Sequence, residues 1–102
     1  MTVETNNNEL FLVVSAGHYD NILAGLKNKE FRDFSRFWIQ RIWPKKPKTV
    51  RFQRGYTKAQ ARFKIKRITL ANRSYEEYPL KSVVPNGFEP AYFVIWIGDR
   101  IK

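Results

Sequence analysis

Within eight residues, Gly25-Leu26-Lys27-Asn28-Lys29-Glu30-Phe31-Arg32, the chain places a lysine, a glutamate and an arginine in the pattern G-x-K-x-x-E-x-R. Glu30 and Arg32 are two apart, so on an extended strand they point to one face. In a cleft, the arginine can donate to a phosphate or a base edge while the glutamate accepts from an exocyclic amine. On a plain surface the same two residues make an ion pair worth little. A carboxylate in so basic a stretch is expected to be ionised and held by its neighbours. Lys27 also has two readings. Just past a helix end it is a solvated charge near the helix's negative pole. Desolvated in a cleft it becomes a usable base, because burial disfavours the charged form.

Further along, Arg36, Arg41, Lys45, Lys46, Lys48, Arg51 and Arg54 interleave with Trp38, Trp43, Phe52 and Tyr56. Cations that track phosphates among rings that stack on bases are the equipment of single-stranded nucleic acid binding. Trp38 and Phe52 are expected in the core. Trp43 and Tyr56 sit beside turns and are the stacking candidates. Arg62, Lys64 and Lys66 share one face of a later strand and, with Lys58 and Arg67, form a second stripe suited to phosphates. The charge is concentrated. Residues 27–73 hold sixteen Lys and Arg against Glu30 and Asp33, a local +14, which leaves −4 elsewhere in a chain of +10. A one-sided positive field draws polyanions.

Other chemistries are excluded or unsupported. With no cysteine there is no disulfide or thiolate chemistry, and a reducing, cytoplasmic compartment is expected. A single histidine, His18, cannot build a His/Cys zinc site; it reads as a helix-start residue, and neither metal nor cofactor is expected. No Ser-His-Asp set, P-loop or dinucleotide glycine pattern is present. Residues 1–8 are polar and acidic, unlike a targeting segment, and read as a flexible N-terminal tail. No apolar run reaches the length of a membrane span, so no membrane partner is expected. The length suits one domain, over residues 9–102.

The elements that must position these residues follow from periodicity. The apolar run at 9–15 reads as a strand covered on both sides. A helix over about 18–24 carries Tyr19, Ile22, Leu23 and Leu26 on one face, with Gly25 as its terminator. A strand at 29–34 leads to a second helix with Ser35 at the N-cap and Phe34 and Ile39 as a hydrophobic staple. Pro44 and Pro47 close that helix. Residues 49–53 form a strand with Val50 and Phe52 facing one way, and Gly55 marks a turn. The strand at 61–70 shifts its apolar parity from Phe63 and Ile65 to Ile68 and Leu70, which predicts a bulge near Lys66-Arg67. Residues 72–91 read as irregular. Residues 92–97 are apolar on both parities and read as a central strand. The sum is an α+β domain: a curled sheet or small β-barrel of five to six strands with two short helices.

The motif and the order of elements resemble the ASCH family, a branch of the PUA-like superfamily. There G-x-K-x-x-E-x-R follows a short helix and runs into a strand. The Val50-Arg51-Phe52 strand ending at Gly55-Tyr56, the Phe63-Lys64-Ile65 strand and the aromatic strand at 92–97 agree in order, so the resemblance spans residues 10–98. It implies a barrel-like core with a cleft beside the motif that binds RNA or a modified nucleoside. Lys27, Lys29, Glu30 and Arg32 would line that cleft. Some members hydrolyse N4-acetylcytidine with a Lys, a Thr and a Glu. The Lys matches Lys27, the Thr position holds Glu30, and Glu76 and Glu77 are the nearby candidates for the carboxylate. The expectation is therefore an RNA-binding module. A small hydrolase acting on a modified nucleoside or on RNA is the alternative, and a basic face that binds an acidic protein is a third reading.

Overall fold

An apolar run opens the fold: Glu9–Val14 forms β1, with Leu10, Leu12 and Val14 buried and the residues between them more exposed. The computed structural model describes residues 9–80 and 83–102; the tail expected at 1–8 lies outside the described residues. Ser15 caps α1 (Ala16–Leu23), its side chain accepting from the His18 backbone N–H at 3.3 Å. The helix thus starts two residues before the expected position, because Ser15 and not His18 carries the cap. Tyr19 and Ile22 are buried, but Leu23 is 39% and Leu26 79% exposed. Helical geometry stops at Leu23 and Gly25 turns the chain at φ +78, so Leu26 leaves the apolar face.

β2 (Lys29–Asp33) follows, then α2 (Arg36–Ile42). Ser35 holds the expected N-cap position in an extended conformation but makes no side-chain cap bond. The remaining strands are β3 (Thr49–Arg54), β4 (Gln60–Ala71), β5 (Glu77–Pro79) and β6 (Tyr92–Ile101). β5 lies in the stretch read as irregular, and β6 runs four residues beyond its expected end.

The strands form one curled mixed sheet, a half-barrel, in the order β1-β3-β4-β6-β2, with β5 also paired to β4. β1 and β3 are parallel and the other ladders antiparallel. The crossover from β1 to β3 carries α1, β2 and α2, and delivers β2 to the far edge against β6. Curling brings the two edges back together: Arg32 Nη2 on β2 donates to Val13 O on β1 at 3.1 Å.

Two irregularities in the β4–β6 ladder help the sheet bend. Phe63 faces Arg100, Ile65 faces Ile97 and Arg67 faces Trp96. The first step leaves an extra residue on β6 near Gly98, and the second leaves Lys66 unpaired on β4. Such bulges increase local twist. A Cβ at position 98 would stand 3.1 Å from both the Lys64 carbonyl oxygen and Lys66 Cγ, so glycine suits the close approach. The core gathers Leu12, Val50, Phe52, Leu70, Phe93 and Ile95 from the strands with Tyr19, Ile22 and Ile42 from the helices. Each fully buried large apolar side chain contributes about 1.5–3 kcal/mol.

A charged clamp joins three strands on one side. Arg51 and Arg62 face each other across β3 and β4, a like-charge pairing that alone destabilises. Glu9 on β1 offsets it, accepting from Arg51 Nη2 at 2.8 Å and Arg62 Nε at 2.5 Å. Burial alone would raise the Glu9 carboxyl, but hydrogen bonds and charge from Arg62 and Arg51 outweigh it and hold the pKa below 4.5. A depressed folded-state pKa stabilises above the unfolded value, and that contribution is lost as pH falls through the folded value. Melting temperature is therefore expected to drop as pH falls below about 4.5. Glu9→Gln should lower it at neutral pH and flatten the acid limb. Thermal melts between about pH 3 and pH 7 check this; an acid limb unchanged in the variant would remove Glu9 from the account.

Candidate nucleic-acid interface

Alternation along β2 splits the motif between two faces. Glu30 points inward and is 6% exposed. Its Oε1 lies 3.2 Å from Lys27 Nζ, and its Oε2 takes Arg32 Nη1. Arg32 Nη1 also donates to Phe31 O at 3.0 Å, and the guanidinium lies 5.5 Å from the Trp38 ring. The three charged motif residues thus meet in one knot. Each oxygen of the carboxylate holds a cation, and Arg32 reaches on to Val13 across the sheet edges.

The other face of β2 carries Lys29 and Phe31. The ladders set residues side by side: Trp96 on β6 lies between Lys29 and Arg67, and Val94 between Phe31 and Thr69. Lys29 Nζ sits 4.4 Å and the Arg67 guanidinium 4.1 Å from the Trp96 ring, distances at which cations are attracted to the indole face. Below this row opens a cavity of about 490 Å³ lined by Lys29, Phe31, Tyr75, Glu77 and Tyr92. Tyr75 and Tyr92 lie nearly parallel with centroids 5.7 Å apart, and Phe31 meets both edge-on. Glu77 Oε1 accepts from Thr69 Oγ1 at 2.5 Å and Trp96 Nε1 at 3.0 Å, while its Oε2 lies 4.0 Å from Lys29 Nζ.

Tyr75 reaches this cavity from a strained turn. Its φ is +63, a region that side-chain-bearing residues seldom occupy. Asn72 holds the turn. Its Oδ1 accepts from the Ser74 and Glu76 backbone N–H groups at 2.9 and 3.0 Å, and its carbonyl accepts from Tyr75 N at 2.9 Å. Its Nδ2 donates to Glu76 Oε1 at 2.8 Å. The two acidic residues named as partners for Lys27 therefore have other company. Glu76 is tied to Asn72, Glu77 lies beside Lys29, and Lys27 pairs with Glu30.

A second cavity, of about 400 Å³, lies where the turn before β3 meets β4. Lys46, Pro47, Lys48, Ile65, Lys66, Arg67, Ile68, Pro79 and Leu80 line it. Four cations share it with no acid in the lining. Arg67 belongs both to this cleft and to the Trp96 row, so the two features adjoin.

The other basic candidates are placed variously. Arg51 and Arg62 serve the Glu9 clamp. Arg54 forks onto Asp20 at 3.1 and 3.2 Å; this hydrogen bonding holds the Asp20 carboxyl below its ordinary value and raises Arg54. Arg41 folds over the Phe37 ring at 3.5 Å and donates to Phe37 O. Arg36, Lys45 and Lys64 are exposed. Trp43 packs edge-on against Phe34 and Phe93, whereas Tyr56 is 98% exposed on the β3–β4 turn. Tyr75, Tyr92 and Trp96 were not singled out by the sequence. For Tyr92 and Trp96 the signal was the shared parity of 92, 94 and 96, masked because the alternate positions are apolar too; Tyr75, in a turn, carried no periodic signal.

Among the described residues, no group of three or more His, Asp or Glu is placed to hold a metal, and no helix is long and apolar enough to cross a membrane. No family model, curated protein or solved structure matches the chain.

Proposed function

We propose that this chain is a nucleic-acid-binding module of the ASCH type, within the PUA-like superfamily, and that its ligand is single-stranded RNA. The observation that carries the reading is the acid-free cleft of Lys46, Lys48, Lys66 and Arg67 adjoining an aromatic face through Arg67 and Trp96. Four acids of the described fold are engaged away from the cleft: Glu9, Asp20, Glu30 and Glu77 pair with Arg51, Arg62, Arg54, Lys27, Arg32 and Lys29. Among the described residues the cleft cations have no salt-bridge partner, so their field is left for a polyanion. Rings beside such a field are the combination that single strands use. The meeting of Lys27, Glu30 and Arg32 in one knot supports the family resemblance.

For the hydrolase alternative, Lys27 would have to accept a proton from water. Its Nζ instead lies 3.2 Å from Glu30 Oε1, so a carboxylate and not a substrate water is the partner that the fold sets against it. Turnover of N4-acetylcytidine by the purified protein is expected to be weak or absent.

The direct test titrates the protein against single-stranded RNA, duplex RNA and single-stranded DNA at two salt concentrations, beside that hydrolysis assay. Binding is expected to favour single strands and to fall steeply with salt. No detectable binding at low salt overturns the reading. Robust hydrolysis lost on Lys27→Ala at unchanged stability would make the enzyme primary.

A further inference from the structure

We propose that the aromatic cavity on the outer face of β2, β6 and β4 seats one unpaired nucleobase, stacked on Tyr75 and met at its edge by Glu77 and Lys29. This rests on the nucleic-acid reading and adds to it a base site distinct from the phosphate cleft and from the Lys27–Glu30–Arg32 knot. The cavity, about 490 Å³, is within the size range of small-ligand sites. One face of the Tyr75 ring stacks on Tyr92, and the residue is 61% exposed, so it presents aromatic surface to solvent.

The polar groups select the ligand class. Glu77 Oε1 is already taken by Thr69 and Trp96. Among the described residues its Oε2 faces only Lys29 Nζ, at 4.0 Å, beyond hydrogen-bond reach. The rim thus offers one acceptor and one donor side by side. A nucleobase edge carries donors and acceptors as neighbours and can meet both. All four bases have such a neighbouring pair, so the site reads the presence of a base and not its identity.

Other ligands suit the cavity less well. An ammonium ligand, which aromatic walls often hold, would meet Lys29 and Arg67 already placed on Trp96. A phosphate would meet Glu77 and three aromatic rings. The phosphate instead has the neighbouring cleft. Lys29 and Arg67 flank Trp96 on adjacent strands, so the two sites are separated by about 10 Å, two strand spacings. One strand of nucleic acid can therefore occupy both.

The test compares a single-stranded RNA oligomer with an abasic ribose-phosphate oligomer of equal length and charge, by fluorescence anisotropy. The wild type should bind the base-bearing oligomer more tightly. Tyr75→Ala should lose at least about 10-fold on that oligomer and nothing on the abasic one, and Tyr75→Phe should retain wild-type affinity. Thermal melting confirms that each variant is folded. Equal wild-type affinity for the two oligomers overturns the base site and leaves the polyanion reading standing. An equal loss on both in Tyr75→Ala also overturns it, since the ring then acts through the fold. If the wild type binds neither oligomer, both readings fall.

Discussion

Replacing Lys46, Lys48 and Lys66 together with glutamate is expected to weaken RNA binding by at least about 100-fold at low salt. All three line the acid-free cleft and are exposed; Lys46 Nζ also donates to Trp43 O at 3.1 Å, so thermal melting of the variant accompanies the titration. Lys48 contributes to the fold through its carbonyl, which accepts from Ile65 N, and the substitution leaves that bond in place. A charge pair at contact distance in water is worth about 1 kcal/mol, and reversal converts attraction into repulsion at each site. Losing three phosphate contacts should also flatten the dependence of log affinity on log salt by about 2, at roughly 0.7 per contact on a single strand. Reversing Lys58, Arg100 and Lys102 changes net charge equally outside the cleft and should cost much less. Titrations of both triple variants at several salt concentrations decide the matter. Equal losses would mean that total charge, not the cleft, attracts the ligand.

The parts of this arrangement that follow from local spacing were legible in the sequence. Two-residue alternation at 30 and 32 placed Glu30 and Arg32 on one face, and the same rule buried Val50 and Phe52. The parity slip after Ile65 announced the irregularity at Lys66. The matching irregularity near Gly98 was hidden, because Gly98-Asp99-Arg100 reads as the end of a strand and not as a bulge within one. β5 escaped because three residues ending in proline carry no period. What depends on long-range pairing could not be read. Arg51 and Arg62 looked free for phosphates, but Glu9 holds both from 42 and 53 positions away. Trp43 reads as a stacking candidate beside a turn, but it packs in T-shaped pairs with Phe34 and Phe93. Phe31, Tyr75 and Tyr92 form one aromatic group only because β2 is carried to the far edge and pairs with β6.

Glu30→Ala is expected to cost about 3 kcal/mol of stability, a fall in melting temperature on the order of 15 °C. The carboxylate is buried, and the cations it holds are themselves largely covered, Lys27 at 24% and Arg32 at 18% side-chain exposure. Removing it leaves two positive charges near each other without a counter-ion. Arg32 also bridges β2 to Val13 on β1, so its displacement loosens the seam between the sheet edges. Backbone amides of β1 and β2 should then exchange faster with solvent than those of the central β6. Glu30→Gln keeps the shape and one acceptor for Arg32 and should cost less. Replacing Lys27, Glu30 and Arg32 together with methionine removes the whole charged set, and stability should return towards that of the wild type. This triple variant separates the two roles open to the motif. If the knot only closes the half-barrel, the variant binds RNA as the wild type does. If the knot also meets the ligand, binding falls while the melting temperature recovers. A Glu30→Ala protein within about 0.5 kcal/mol of the wild type would show that the knot does not support the fold.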